Sequence, residues 1–167
     1  MAEFGIPLMD MIMQEKVLPM NVFAFYMSMN EQEQSELVFG FIDEDRFTGP
    51  LKWHNLVDRL FWSLRLDDIK VDGKPLNVCD KKKRNCMVTP DSGTSLLTVP
   101  SWAFRKIDAA LPQLEGCESK FGLGKLTYVI DGVDYDLPSH HYYERYTNVF
   151  EEGDSVCAHT FATLDIL

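Results

Sequence analysis

Asp91 stands in the run Pro90-Asp91-Ser92-Gly93-Thr94-Ser95-Leu96-Leu97-Thr98, a carboxylate beside a glycine and ringed by hydroxyl side chains. Gly93 lets the backbone fold close to the carboxylate, and Ser92 and Thr94 are placed to donate hydroxyl hydrogen bonds to it. A carboxylate held by donors stays ionised and fixed in direction, as acid–base chemistry requires. An ordinary polar turn uses the same residue types. The turn alone therefore leaves a catalytic and a purely structural role open.

Other residues in the chain are also of types that can do chemistry. An aspartyl nucleophile of the phosphatase type needs Asp-x-Asp-x-Thr, and Gly93 stands where the second acid would be. His140-His141 could ligate a metal, but adjacent residues on a strand point to opposite faces, and no converging acid or thiol partner is identifiable. Asp67-Asp68 reads as part of a half-exposed strand. Four cysteines, at 79, 86, 117 and 157, lack the two-to-four-residue spacing of structural zinc sites. No metal and no cofactor is expected. The formal net charge of −10 argues against nucleic-acid binding, which needs a basic surface. Lys81-Lys82-Lys83-Arg84 reads as a solvated loop between two cysteines. The apolar stretch Ile6 to Met13 is short, broken by Pro7 and Asp10, and lacks a basic start, so it reads as neither signal peptide nor membrane span.

The elements that must position Asp91 are mostly strands. Cys86 to Thr89 reads as a strand entering the turn, and Leu96 to Val99 as one leaving it, closed by Pro100. Upstream, Pro7 to Leu18 reads as a short helix with Met, Leu and Ile on a buried face. Alternation over Val22 to Met27, a polar loop over Asn30 to Ser35 and a return over Leu37 to Ile42 predict a hairpin. Trp62, Leu64 and Leu66 should share one strand face, with Ser63, Arg65 and Asp67 on the other. A second helix is predicted over Ser101 to Ala110, with Phe104, Ile107 and Leu111 facing the core. Leu126 to Ile130 and Val133 to Leu137 form a hairpin across Asp131-Gly132, and Leu137-Pro138-Ser139 leads into His140 to Tyr146. At 167 residues and 46% hydrophobic content, the chain can bury a core of ordinary domain size. The sum is a mainly β fold with short helices.

Five segments, in order, carry a resemblance that covers about Phe4 to Ile166. Asp91-Ser92-Gly93-Thr94-Ser95-Leu96-Leu97-Thr98-Val99-Pro100 is similar to the run that carries the second catalytic aspartate of the pepsin-like aspartic proteases (peptidase A1). Val22 to Ser28 resembles the family's "FSFYLS" strand. Phe39-Gly40-Phe41-Ile42-Asp43 with Phe47-Thr48-Gly49-Pro50-Leu51 resembles "GGID…YTGPL". Phe61 to Ile69 resembles "YWQxxLDxI", and Val129 to Tyr135 resembles "FxIDGxxY". The acidic run Asp43-Glu44-Asp45 ahead of Phe47 to Pro50 resembles the plasmepsin branch.

The resemblance implies the C-terminal lobe of a bilobal acid protease fold, with residues 1–167 as part of one peptidase domain. It implies Asp91 as one of two catalytic aspartates, with Ser92, Gly93 and Thr94 as its supporting loop and Ser95 lining the substrate cleft. It also implies disulfides Cys79–Cys86 and Cys117–Cys157, and with them a secretory, vacuolar or extracellular route. A peptide or protein is the expected substrate, and the missing N-terminal lobe of the same protein the expected partner. Pro90 departs from the family pattern: it has no N–H, so pairing beside it needs an edge or a gap. No second Asp-Thr/Ser-Gly motif, no flap tyrosine and no closing "WILGD…YYTVFD" strands occur in these residues. The expectation is an aspartic endopeptidase lobe that is inactive alone. A non-catalytic peptide-binding or decoy module built from the same lobe is the alternative.

Overall fold

A computed structural model describes residues 5–79, 85–114, 116–147 and 155–165. The basic run 81–84 lies outside the described residues. The chain forms two compact units, Met1–Lys52 and Trp53–Leu167.

In the first unit, Pro7 sits before helix α1 (Leu8–Glu15), where its fixed φ and missing N–H cost nothing. Lys16 ends the helix in the left-handed region at φ 53°, shorter than the predicted span to Leu18. No residue of α1 is buried: Leu8 is 71% and Met11 51% exposed. The expected burial of this helix is thus corrected. Its apolar stripe exists, but Met9, Ile12 and Met13 along it are only half-buried. Strands β1 (Phe23–Tyr26) and β2 (Glu36–Phe39) pair antiparallel, Phe23 opposite Phe39 and Tyr26 opposite Glu36. The second strand stops before the predicted Ile42, because Gly40 turns away at φ +85°. A Cβ there would meet Leu18 at 3.1 Å and Pro19 at 3.2 Å. Arg46 ties the hairpin to a short 3₁₀ turn (Glu44–Arg46). It bonds Glu33 and Glu36 at 2.6 Å each, with its guanidinium 4.1 Å from the Tyr26 ring centroid.

Among the described residues, every buried apolar side chain belongs to the second unit. Its centre is β3 (Leu64–Val71), which pairs with β4 (Lys74–Pro75), β5 (Met87–Val88) and β7 (Leu126–Ile130). Strand β8 (Val133–Leu137) completes that sheet against β7. Asp131 and Gly132 both have positive φ, 48° and 75°, as a tight two-residue hairpin demands. Strand β6 (Leu97–Val99) leads into helix α2 (Ser101–Ala110), while β9 (Tyr143–Thr147) pairs with β10 (Ser155–His159). Strand β11 (Phe161–Thr163) then lies parallel to β6. Ile107 and Leu111 of the α2 segment pack with Ile69, Leu126, Tyr142, Tyr143 and Phe161.

Two details differ from the alternation pattern. Trp62 lies outside β3 and is 58% exposed, whereas Ser63 is buried. His140 and His141 sit in a 3₁₀ turn (Ser139–His141) rather than on a strand. Their rings are therefore not on opposite faces, and the centroids are 4.1 Å apart. Burial, then the neighbouring His140, holds His141 below the usual histidine range. Among the described residues no group of three or more His, Cys, Asp or Glu side chains could hold a metal ion. No helix among them is long and apolar enough to cross a membrane.

Candidate active site

Asp91 is carried on the turn between β5 and β6. On the entry side, Leu64 pairs with Val88 and Arg65 with Met87. On the exit side, β6 is held by β11, with Leu97 opposite Phe161, and by the Leu97 N–H donating to the Thr160 carbonyl at 3.1 Å. The entry strand is shorter than predicted and ends at Val88, leaving the gap that Pro90 requires.

Within the turn, the Gly93 N–H donates to Asp91 Oδ1 at 2.9 Å, and the Thr94 hydroxyl donates to Oδ2 at 2.6 Å. The Thr94 N–H reaches the Asp91 carbonyl at 3.4 Å. Each carboxylate oxygen thus has its own donor. The Thr94 hydroxyl first, then the Gly93 N–H, holds the Asp91 carboxyl below the ordinary aspartate range. No second carboxylate perturbs it among the described residues. The Ser92 hydroxyl, offered by the sequence as a donor, bonds neither oxygen among the described contacts. The backbone of Gly93 takes that place. The need for glycine is also sharpened: Gly93 is not in the left-handed region, but a Cβ there would stand 3.2 Å from Asp91 Oδ1. Glycine leaves room for the carboxylate to fold onto the following N–H. Asp91, Ser92, Gly93, Thr94 and Ser95 are all exposed, so the carboxylate is presented to solvent.

The scaffold around the turn is fixed by contacts that sequence reading did not supply. Asp165 accepts from the Ser101 N–H at 2.9 Å and the Ser101 hydroxyl at 2.6 Å, capping α2, whose own first turn lacks an acid. Asp68 accepts from the N–H groups of Asn77 and Val78 at 3.0 and 2.9 Å, and Asp67 accepts from the Gly132 N–H at 2.7 Å. The Asp67-Asp68 pair is therefore divided between two structural tasks, Asp68 holding the Asn77–Val78 backbone and Asp67 the Gly132 turn. His54 lies 2.6 Å from the Tyr135 hydroxyl and 3.3 Å from Asp131, joining the segment before β3 to the β7–β8 hairpin. Apart from the Asp68 bonds, these partners are more than sixty residues apart, and no local spacing announces them. The cysteines form Cys79–Cys86 and Cys117–Cys157, with Cα atoms 5.6 and 5.0 Å apart.

The profile of the family described as eukaryotic aspartyl protease matches residues 2–166. The chain belongs to that family. This aspartyl protease chain is 33% identical to cathepsin E of Oryctolagus cuniculus over 170 residues, 96% of the chain and 41% of the relative. It is 30% identical to cathepsin D of Bos taurus over 171 residues, 96% of the chain and 42% of the relative. Pregnancy-associated glycoprotein 2 of Sus scrofa is 33% identical over 126 residues, 72% of the chain and 29% of the relative. The chain thus spans about two-fifths of the length of the cathepsins it matches. Its mostly β architecture and two disulfides agree with a pepsin-like lobe.

Proposed function

We propose that Asp91 is one of the two catalytic aspartates of an aspartic endopeptidase, and that residues 1–167 are part of its C-terminal lobe. The observation that carries this reading is the turn itself. It holds an exposed, donor-bound carboxylate in an Asp-Ser-Gly-Thr setting, within a chain of the aspartyl protease family.

In such an enzyme the second carboxylate comes from the other lobe, which lies outside this sequence. Two close carboxylates cannot both ionise comfortably, so the pair shares one proton and titrates as a unit, the known behaviour of aspartic proteases. The ionised member takes a proton from a water between them, and that water's oxygen attacks the scissile carbonyl carbon. The protonated member gives its proton to the carbonyl oxygen. Collapse of the tetrahedral diol breaks the C–N bond, with a proton delivered to the leaving nitrogen. Gly93 and Thr94 orient Asp91, Ser92 helps to join the two catalytic loops, and Ser95 lines the cleft.

Alone, the chain is inactive in this reading. Asp91 is held in its ionised form by its donors, and among the described residues no second acid acts on it. A carboxylate stabilised in that form is also a weak general base. The two disulfides favour an oxidising, secretory route, and a peptide or protein is the substrate.

Peptide hydrolysis at acid pH is the test, comparing the full-length protein, its Asp91→Asn variant and the 167-residue chain. The reading expects activity from the first alone. Peptide binding without cleavage by the full-length protein would favour the non-catalytic module instead.

A further inference from the structure

The ladder that carries the Asp91 turn ends early, and a pair of side chains stands where it ends. Strand β5 opposes β3 with Arg65 facing Met87 and Leu64 facing Val88. Continuing that register by one residue sets Ser63 opposite Thr89, and by two sets Trp62 opposite Pro90. Pro90 has no N–H with which the ladder could resume. Among the described residues, no backbone bond joins Thr89 or Pro90 to the β3 segment. At the first of these positions the Ser63 and Thr89 hydroxyl oxygens lie 2.8 Å apart, and either can donate. Ser63 is only 3% exposed, so its hydroxyl needs a protein partner, and Thr89 is that partner. The backbone of Ser63 is itself pinned, its carbonyl accepting from the Val57 N–H at 2.9 Å.

We infer that the Ser63–Thr89 hydroxyl pair acts as one extra rung of the β3–β5 ladder and is a positioning element for Asp91. The mechanical chain is short. Ser63 holds Thr89, the ring of Pro90 locks the next φ, and Asp91 follows directly. The exit side needs no such device, because β6 is fastened to β11 by backbone pairing. On the entry side, loss of the rung frees the stem at Val88. Asp91 then swings relative to Gly93 and Thr94, whose bonds to it depend on direction. Cross-strand Ser/Thr pairs of this kind are a recognised unit of sheet stabilisation. Here the pair sits two residues before the carboxylate. Its catalytic consequence rests on the reading of Asp91 proposed above, but the positioning itself can be read without any activity.

The experiment is an NMR titration of the Asp91 carboxyl group, with amide exchange at Gly93, in the 167-residue chain and its Thr89→Val, Thr89→Ser and Ser63→Ala variants. Removing either hydroxyl is expected to move the Asp91 midpoint up toward the ordinary aspartate range. Gly93 exchange should quicken about three- to tenfold, the change that losing one net hydrogen bond produces. Thr89→Ser keeps the hydroxyl and should keep both values. Should Thr89→Val fail to fold because it strands the buried Ser63 hydroxyl, the double variant Ser63→Ala/Thr89→Val removes both partners and decides the matter. A folded hydroxyl-free variant with unchanged midpoint and unchanged exchange overturns the inference, even if its global stability has fallen. Failure of the catalytic reading looks different: full-length Asp91→Asn keeps its activity while the titration results stand.

Discussion

The two disulfides close loops of very different length, and that difference sets what each contributes to stability. Cys117–Cys157 spans a sequence separation of 40 and encloses β7, β8 and β9, whereas Cys79–Cys86 spans 7. Restricting the unfolded chain by loops of those lengths gives ~4 kcal/mol for the long bridge and ~2.4 kcal/mol for the short one. Packing adds in the same direction, since Cys117 and Cys157 belong to the buried core while Cys79 is only partly buried. Paired Cys→Ala variants test this by urea unfolding. All three tryptophans, at 53, 62 and 102, lie in the unit Trp53–Leu167, so their fluorescence follows the unit that holds both bridges. With a slope of ~1.5 kcal/mol/M, the midpoint should fall by roughly 2.7 M without the long bridge and roughly 1.6 M without the short one. Equal shifts, or the larger shift for Cys79→Ala/Cys86→Ala, would refute the reasoning.

Further outcomes concern titration. Thr94→Val removes the hydroxyl that does most to hold the Asp91 carboxyl below the ordinary aspartate range, so the Asp91 midpoint should rise in an NMR titration. A depressed native pKa stabilises the fold above the ordinary aspartate range, and that contribution is lost as pH falls through the native midpoint. Thr94→Val should flatten this acid-limb loss, as urea midpoints collected across acid pH would show. Burial pushes the Tyr128 and Tyr143 phenols up to about 12, so both should be late to ionise in an ultraviolet titration. Because the folded state keeps protons that the unfolded state gives up, stability should decline between the ordinary value of 10.0 and about 12. Normal ionisation of both tyrosines in the folded chain would contradict their burial.

Much of the second unit could be read from local pattern. Helix α2 runs Ser101–Ala110, bracketed by Pro100 and Leu111-Pro112, and the β7–β8 hairpin is announced by Asp131-Gly132 between two apolar runs. Those features are set by neighbours in the chain. The parallel pairing of β6 with β11 is not, because its partners are more than sixty residues apart and each strand has only three residues. The apolar face of α1 shows the limit of periodicity. Spacing identifies a stripe, but only the fold decides whether anything covers it. At Asp91 the residue types were legible, and the donor set was partly so. Thr94 donates as expected, while Gly93 contributes an N–H and space where the sequence offers the Ser92 hydroxyl as a donor. The Ser63–Thr89 pair lay beyond sequence reading, since recognising it requires the register of β3 against β5.

The most direct test of the account is peptide hydrolysis by the full-length protein at acid pH, with Asp91 intact and as Asp91→Asn. Loss of an acid–base group of this kind is worth on the order of a hundred- to ten-thousandfold in rate. The account predicts a fall in that range, with binding of a peptide substrate little changed. Full activity in folded Asp91→Asn would contradict it.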